Sequence, residues 1–132
     1  FIEHLPMIEE FHGGRWKDSL FAFLDECYRI LRPNGVLKIT VPSGQSNRAF
    51  QDPTHRRFIV PAPFGYFDAV WRKTQGLDHY SVDCDFDSSL SFSIPRLWNM
   101  RSPSTREFAI QHYVNVAEDI IASMRAVKPA RT

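Results

Sequence analysis

The stretch "CYRILRPNGVLKITVP", Cys27 to Pro42, decides the fold class. One periodicity runs into it and a different one runs out. Upstream, Trp16, Leu20, Phe21, Phe23, Leu24, Cys27, Tyr28 and Leu31 recur at i, i+4, i+7 and i+8 spacing. Lys17, Asp18, Asp25, Glu26 and Arg29 fall elsewhere, so an amphipathic helix is expected from Trp16 to Leu31. At "RPNG" Pro33 forbids continuation and Gly35 can take positive φ. "VLKITVP" then reads as a strand rich in branched residues and closed by Pro42. A helix, a tight turn and a strand make half of an α/β unit.

Outward from this core the signals are more mixed. Residues 43–63 are polar and proline-bounded, and a loop of that length is usually functional or mobile. It contains "QDPTHRRFIVP", Gln51 to Pro61, which sets an Asp-Pro corner, a histidine and two arginines between two prolines. "PFGYFDAVW" is expected to form a short helix with Phe64, Phe67, Val70 and Trp71 against the body. "SVDCDFDSSLSFSI" alternates as a long strand with room for a bulge, with Val82, Cys84 and Phe86 on one face and Asp83, Asp85 and Asp87 on the other. "STRE", Ser104 to Glu107, fits a capping box and predicts a helix start. In the tail, residues 113–128, Tyr113, Val116, Ala117, Ile120, Ile121 and Met124 suit a helix, while Ile121 to Val127 also suits a strand.

The bulk properties bound the function classes. The chain has 132 residues, enough for one domain, and no internal repeat. A formal charge of +1 with mixed signs carries no nucleic-acid signal. No apolar run approaches the ~20 residues that span a bilayer. Cys27 and Cys84 each sit in an apolar pattern and read as buried free thiols of a reducing, cytoplasmic compartment. His12, His79 and His112 have no partner at metal-ligand spacing, so no metal is expected. The three aspartates lack the Gly and Glu of a calcium loop and are read as solvent-facing strand residues. The opening "FIEHLPMIEE" has neither an initiator Met nor a signal pattern, so the chain is expected to start inside a domain.

"IEHLP", the helix ending in "RILRPNG" and the strand ending in "VP" together resemble the C-terminal half of class I S-adenosylmethionine-dependent methyltransferases, with Asn34 in place of the usual first glycine. "DPTHRR" followed by "FGYFD" is similar to a subgroup of these enzymes. The resemblance implies an α/β fold, a doubly wound Rossmann-like sheet. Residues 1–132 would supply its fifth to seventh strands with flanking helices, the N-terminal cofactor-binding half being absent. The last strand of that family runs antiparallel and inserts between the fifth and sixth, which draws the tail towards strand. The six glycines form no cofactor loop, so the fragment itself is expected to be inactive.

By the same resemblance Glu3 and His4 would line the S-adenosylmethionine cleft, since the carboxyl edge of such a sheet is where ligands bind. Asp52, His55 and Arg56 fall in the loop on that edge. A histidine suits removal of an acceptor proton, which makes His55 the catalytic candidate. Asp52 and Arg56 would meet the acceptor, with Phe64 and Tyr66 as an apolar lid. In the fragment this loop is expected to be mobile. The implied function is methyl transfer to a small-molecule or glycan-like acceptor. A non-catalytic, methyltransferase-like domain that assembles through an exposed strand edge is the alternative, and a nicotinamide dehydrogenase a third.

Overall fold

The structure is a computed structural model that describes the backbone of residues 1–132 and every side chain except that of His12. A 3-10 turn at Ile2–His4 leads into a hairpin of β1 (Glu9–His12) and β2 (Arg15–Asp18). Helix α1 (Ser19–Ile30) and strand β3 (Val36–Pro42) follow. The helix therefore begins at Ser19, three residues later than its periodicity predicts. Gly13 and Gly14 adopt φ of 56° and 82°, the left-handed pair that closes a two-residue hairpin, and this turn draws Trp16 and Lys17 into β2. Asp18 then caps the helix by accepting the Leu20 N–H at 2.9 Å.

The turn between α1 and β3 is as expected in place but not in detail. Asn34, not Gly35, takes the left-handed conformation, with φ of 64°. Gly35 is required for another reason: a Cβ there would stand 2.9 Å from the Arg32 carbonyl oxygen.

Strands β4 (Phe86–Ser93) and β5 (Asp119–Ala126) complete a second sheet in the order β3-β5-β4. The tail is thus a strand. Ile121 faces Thr40 of β3 on one side and Ser91 of β4 on the other, antiparallel to each. Ile120, Ala122, Met124 and Ala126 lose all solvent contact, while Ile121 remains 40% exposed, so a period of two governs this strand. The chain is a mixed α/β domain with two antiparallel sheets; the one parallel pairing among the described residues is an isolated bridge between Ser43 and Ile59. Leu20 and Leu24 of α1 close over Val41, Phe86 and Ile120 to form the core.

Three further expectations are corrected. Residues 81–85 are not strand, because the Asp83 and Cys84 N–H groups donate to Asp25 Oδ1 at 2.9 and 2.8 Å instead of to a neighbouring strand. Asp85 does not face solvent; it is completely buried. Helix α4 (Pro103–His112), which follows the short α3 (Arg96–Asn99), is capped by Ser102 rather than by a box at Ser104. Pro103 at the first helical position presets the backbone there, and Ser102 Oγ accepts the Thr105 N–H.

The "PFGYFDAVW" segment divides into a 3-10 helix (Ala62–Phe67) and α2 (Ala69–Thr74), because Asp68 caps α2 at the Val70 and Trp71 N–H groups. Phe64 and Phe67 are buried as expected, but Val70 is exposed. Cys84 is buried and Cys27 half-buried. Among the described residues, no helix is long and apolar enough to cross a membrane.

Candidate functional site

Beyond β3 the chain does not leave the body freely. The Ser43 N–H donates to Glu118 O at 2.9 Å and the Gly44 N–H to Ile59 O at 2.7 Å, so both ends of the long loop are fastened together. Phe50 and Phe58 stack across it with centroids 4.5 Å apart. These anchors run against the expectation of a mobile loop. The Arg56 and Arg57 N–H groups both donate to the Glu3 carbonyl, at 2.7 and 3.0 Å. Two segments some fifty residues apart are thereby joined, and Glu3, His4, Asp52 and His55 come to one place.

Hydrogen bonding sets the protons of both histidines. His55 Nδ1 lies 2.8 Å from the Ala49 carbonyl, which can only accept, so Nδ1 carries the hydrogen. Thr54 Oγ1 donates to Asp52 Oδ1 at 2.7 Å, because a carboxylate cannot donate. The same hydroxyl therefore accepts from His4 Nδ1 at 3.1 Å. In its neutral form each ring then has its lone pair on Nε2.

The two rings meet edge to face with centroids 4.7 Å apart. His4 Nε2 is 3.9 Å from Glu3 Oε1, and His55 Nε2 is 3.8 Å from Asp52 Oδ2. Side-chain exposure is 7% for His55 and 12% for Glu3, against 43% for His4. The Thr54 hydroxyl, joined by the Thr54 N–H at 2.8 Å, holds the Asp52 carboxyl below the usual carboxylate range. Glu3 Oε2 accepts from the Phe1 amino group at 2.6 Å, which leaves Oε1 on the histidine side. One donor atom each from Glu3, His4 and His55 fall within 4.8 Å of one another. No local spacing in the sequence pairs His4 with His55; only the tertiary structure brings the two rings together.

The two arginines part company. Arg57 is consumed as a clamp: it donates to the carbonyls of Leu5 at 3.1 Å and Pro6 at 2.5 Å, to Asp18 at 3.0 Å and to Ser19 Oγ at 3.1 Å. Arg56 is exposed and makes one bond, to the Pro53 carbonyl at 3.2 Å. Next to the clamp a groove of about 450 Å³ is walled by Phe21, Phe58, Tyr66 and Tyr80, with Arg57 and Asp18 at its polar end. Tyr66 is thus at a groove, whereas Phe64 packs inward and does not line it. A larger cavity, about 720 Å³, lies by Lys17, Tyr28 and Lys128 and includes none of the expected site residues.

No protein-family model, curated protein or solved structure matches this chain.

Proposed function

We propose that the chain is the C-terminal portion of a class I S-adenosylmethionine-dependent methyltransferase, which transfers a methyl group to a small-molecule or glycan-like acceptor when joined to a cofactor-binding half. The observation that carries this reading is the strand order β3-β5-β4, with the last strand in the middle and antiparallel to both neighbours. The resemblance of "EHLP" and "RILRPNG" implies that order for the fifth, seventh and sixth strands of a doubly wound, Rossmann-like sheet. The outer edge of β3 pairs with no other strand, which suits a preceding strand lying there.

The described residues hold no glycine-rich cradle, so this chain by itself is a poor fit for the cofactor. What it would contribute is the acceptor side. Methyl transfer asks chiefly for an aligned nucleophile, and positioning dominates. Glu3 and His4 would border the cofactor. Tyr66 and its groove would seat the apolar part of the acceptor, and Arg56 and Asp52, which lie outside that groove, would meet its polar part. His55 Nε2 would take the acceptor proton.

Calorimetric titration of S-adenosylmethionine into the gene product that contains this chain is the test. Saturable binding, and lower kcat/KM in His55→Ala and Arg56→Ala, are expected; no binding overturns the reading. The free outer edge of β3 also favours a second reading, a non-catalytic domain that self-associates edge to edge. A monomeric mass by light scattering, with a cooperative melt, removes it.

A further inference from the structure

We propose that Glu3, His4 and His55 bind a divalent transition-metal ion, with Zn²⁺ the best match to their donor set. The inference stands on this geometry and does not depend on methyl transfer. Two imidazole nitrogens and one carboxylate oxygen are the donor types that suit Zn²⁺ in three-ligand sites that keep a coordination position open.

Four observations point the same way. One donor atom from each residue lies within 4.8 Å of the others. Donors about 2.0–2.1 Å from a tetrahedral ion stand roughly 3.4 Å apart, so small ring rotations close the gap. The partly exposed ring of His4 has room for them. Both Nδ1 atoms are already committed to oxygen acceptors, the Ala49 carbonyl and the Thr54 hydroxyl. That is the outer-shell arrangement that orients a ligating histidine and leaves Nε2 for the metal.

The third observation is burial. The His55 side chain is more than nine-tenths buried, and its Nε2, 3.8 Å from Asp52 Oδ2, is too far to be hydrogen-bonded to it. Since no buried side-chain nitrogen or oxygen among the described residues lacks a partner, this Nε2 still reaches solvent. Glu3 is nearly as buried, and its Oε1 turns to His4 rather than to an arginine or lysine. The fourth is rigidity. Glu3 is tied through its carbonyl to Arg56 and Arg57, and the turn after it by the Arg57 clamp, so the ligand-bearing segments are held in place before an ion arrives. Open coordination positions would face the exposed side of His4, where water or a substrate oxygen could enter. On the methyl-transfer reading, an ion held by His55 Nε2 would acidify the acceptor hydroxyl so that its proton passes to water, in place of proton uptake by His55.

The test is calorimetric titration of ZnCl₂ into the chelator-stripped 132-residue chain, with MgCl₂ as the contrasting probe and Co²⁺ absorption as a spectroscopic readout. One Zn²⁺ per chain, weak or absent Mg²⁺ binding and a Co²⁺ spectrum of low coordination number are expected. His4→Ala, His55→Ala and Glu3→Gln should each weaken Zn²⁺ binding by more than the roughly 10- to 100-fold that outer-shell changes cost, and Thr54→Val should fall within that range. His79→Ala with His112→Ala should leave affinity unchanged. Should His55→Ala fail to fold by circular dichroism, His4→Ala decides, because its ring is partly exposed. Zn²⁺ affinity unchanged in His4→Ala, or no saturable binding to the native chain, overturns the proposal.

Discussion

Arg131 closes over Asp85. The carboxylate, without any solvent exposure, accepts the guanidinium at 2.9 Å on one oxygen and 2.7 Å on the other, and the Arg131 N–H at 2.8 Å. The Ala69 N–H supplies a further bond at 3.0 Å. The second-to-last residue thus fastens the carboxyl end of the chain to the start of β4 and to the first turn of α2. Lys17, more deeply buried than Arg131, plays a comparable part between Asp25 and Asp83.

Arg131→Ala should be among the more damaging single substitutions. Removing one partner of a buried pair costs about 3–5 kcal/mol because the other charge is left behind. Arg131 is itself 34% exposed and Asp85 keeps the Ala69 N–H, so about 2–3 kcal/mol is expected. Urea denaturation followed by circular dichroism reads it directly. A loss below about 0.5 kcal/mol, the range of ordinary surface changes, would show that the closure is ornamental.

The same contact predicts the acid limb of stability. Burial works to raise the Asp85 carboxyl, but the Arg131 bonds outweigh it, and the group sits below its ordinary value. In the unfolded chain Asp85 takes up a proton near pH 3.9, and in the folded chain only lower. Between those values the unfolded state binds more protons, so stability rises with pH. The contribution is complete above about pH 4 and is lost as pH falls through the folded value. Melting temperature measured across that range should drop less steeply in Arg131→Ala than in the native chain.

Arg56 and Arg57 should behave as opposites despite their adjacency. Arg57→Ala removes four hydrogen bonds that join the Leu5–Pro6 turn to the start of α1, and should cost about 1.5–3 kcal/mol, the range for bonds to a charged group. Arg56→Ala, which loses one exposed bond, should stay within about 0.5 kcal/mol. Equal losses in the two variants would contradict the division of labour.

The two thiols should be slow and unequal towards alkylation at neutral pH. Burial pushes both upward, and Asp25 beside Cys84 adds to the effect there. Thiolate, not thiol, is the nucleophile. Cys27, half-buried, should label first, and Cys84 only as fast as the chain unfolds. Mass spectrometry of a time course with iodoacetamide would reveal the order, and early labelling of Cys84 would refute it.

Much of the body was legible from Trp16 to Pro42 alone. Apolar spacing marked α1 and β3, and Pro33 with Gly35 marked the place of the break between them, although Asn34 carries the left-handed turn, because those choices rest on steric limits and periods that act within a few residues. The alternation from Phe86 onward, and the apolar loss of solvent at Phe64 and Phe67, were legible for the same reason. The β1–β2 hairpin could have been found as well, since Gly13-Gly14 is a two-residue turn signal between two polar runs.

Other features were settled only when distant segments met. Ile121 to Val127 suited two periods equally until β3 and β4 offered strand edges on both sides of it. Asp85 looked solvent-facing by alternation, and only Arg131, 46 positions away, makes its burial tolerable. The candidate site is the clearest case. The sequence by itself determined that Glu3, His4, Asp52 and His55 would flank a helix–strand unit on either side. Their convergence, and which nitrogen of each ring stays free, was decided by the tertiary structure through the Glu3 carbonyl, the Thr54 hydroxyl and the Ala49 carbonyl. Local sterics act before the chain closes; hydrogen bonds between positions fifty residues apart contribute only once the core has brought their partners within reach.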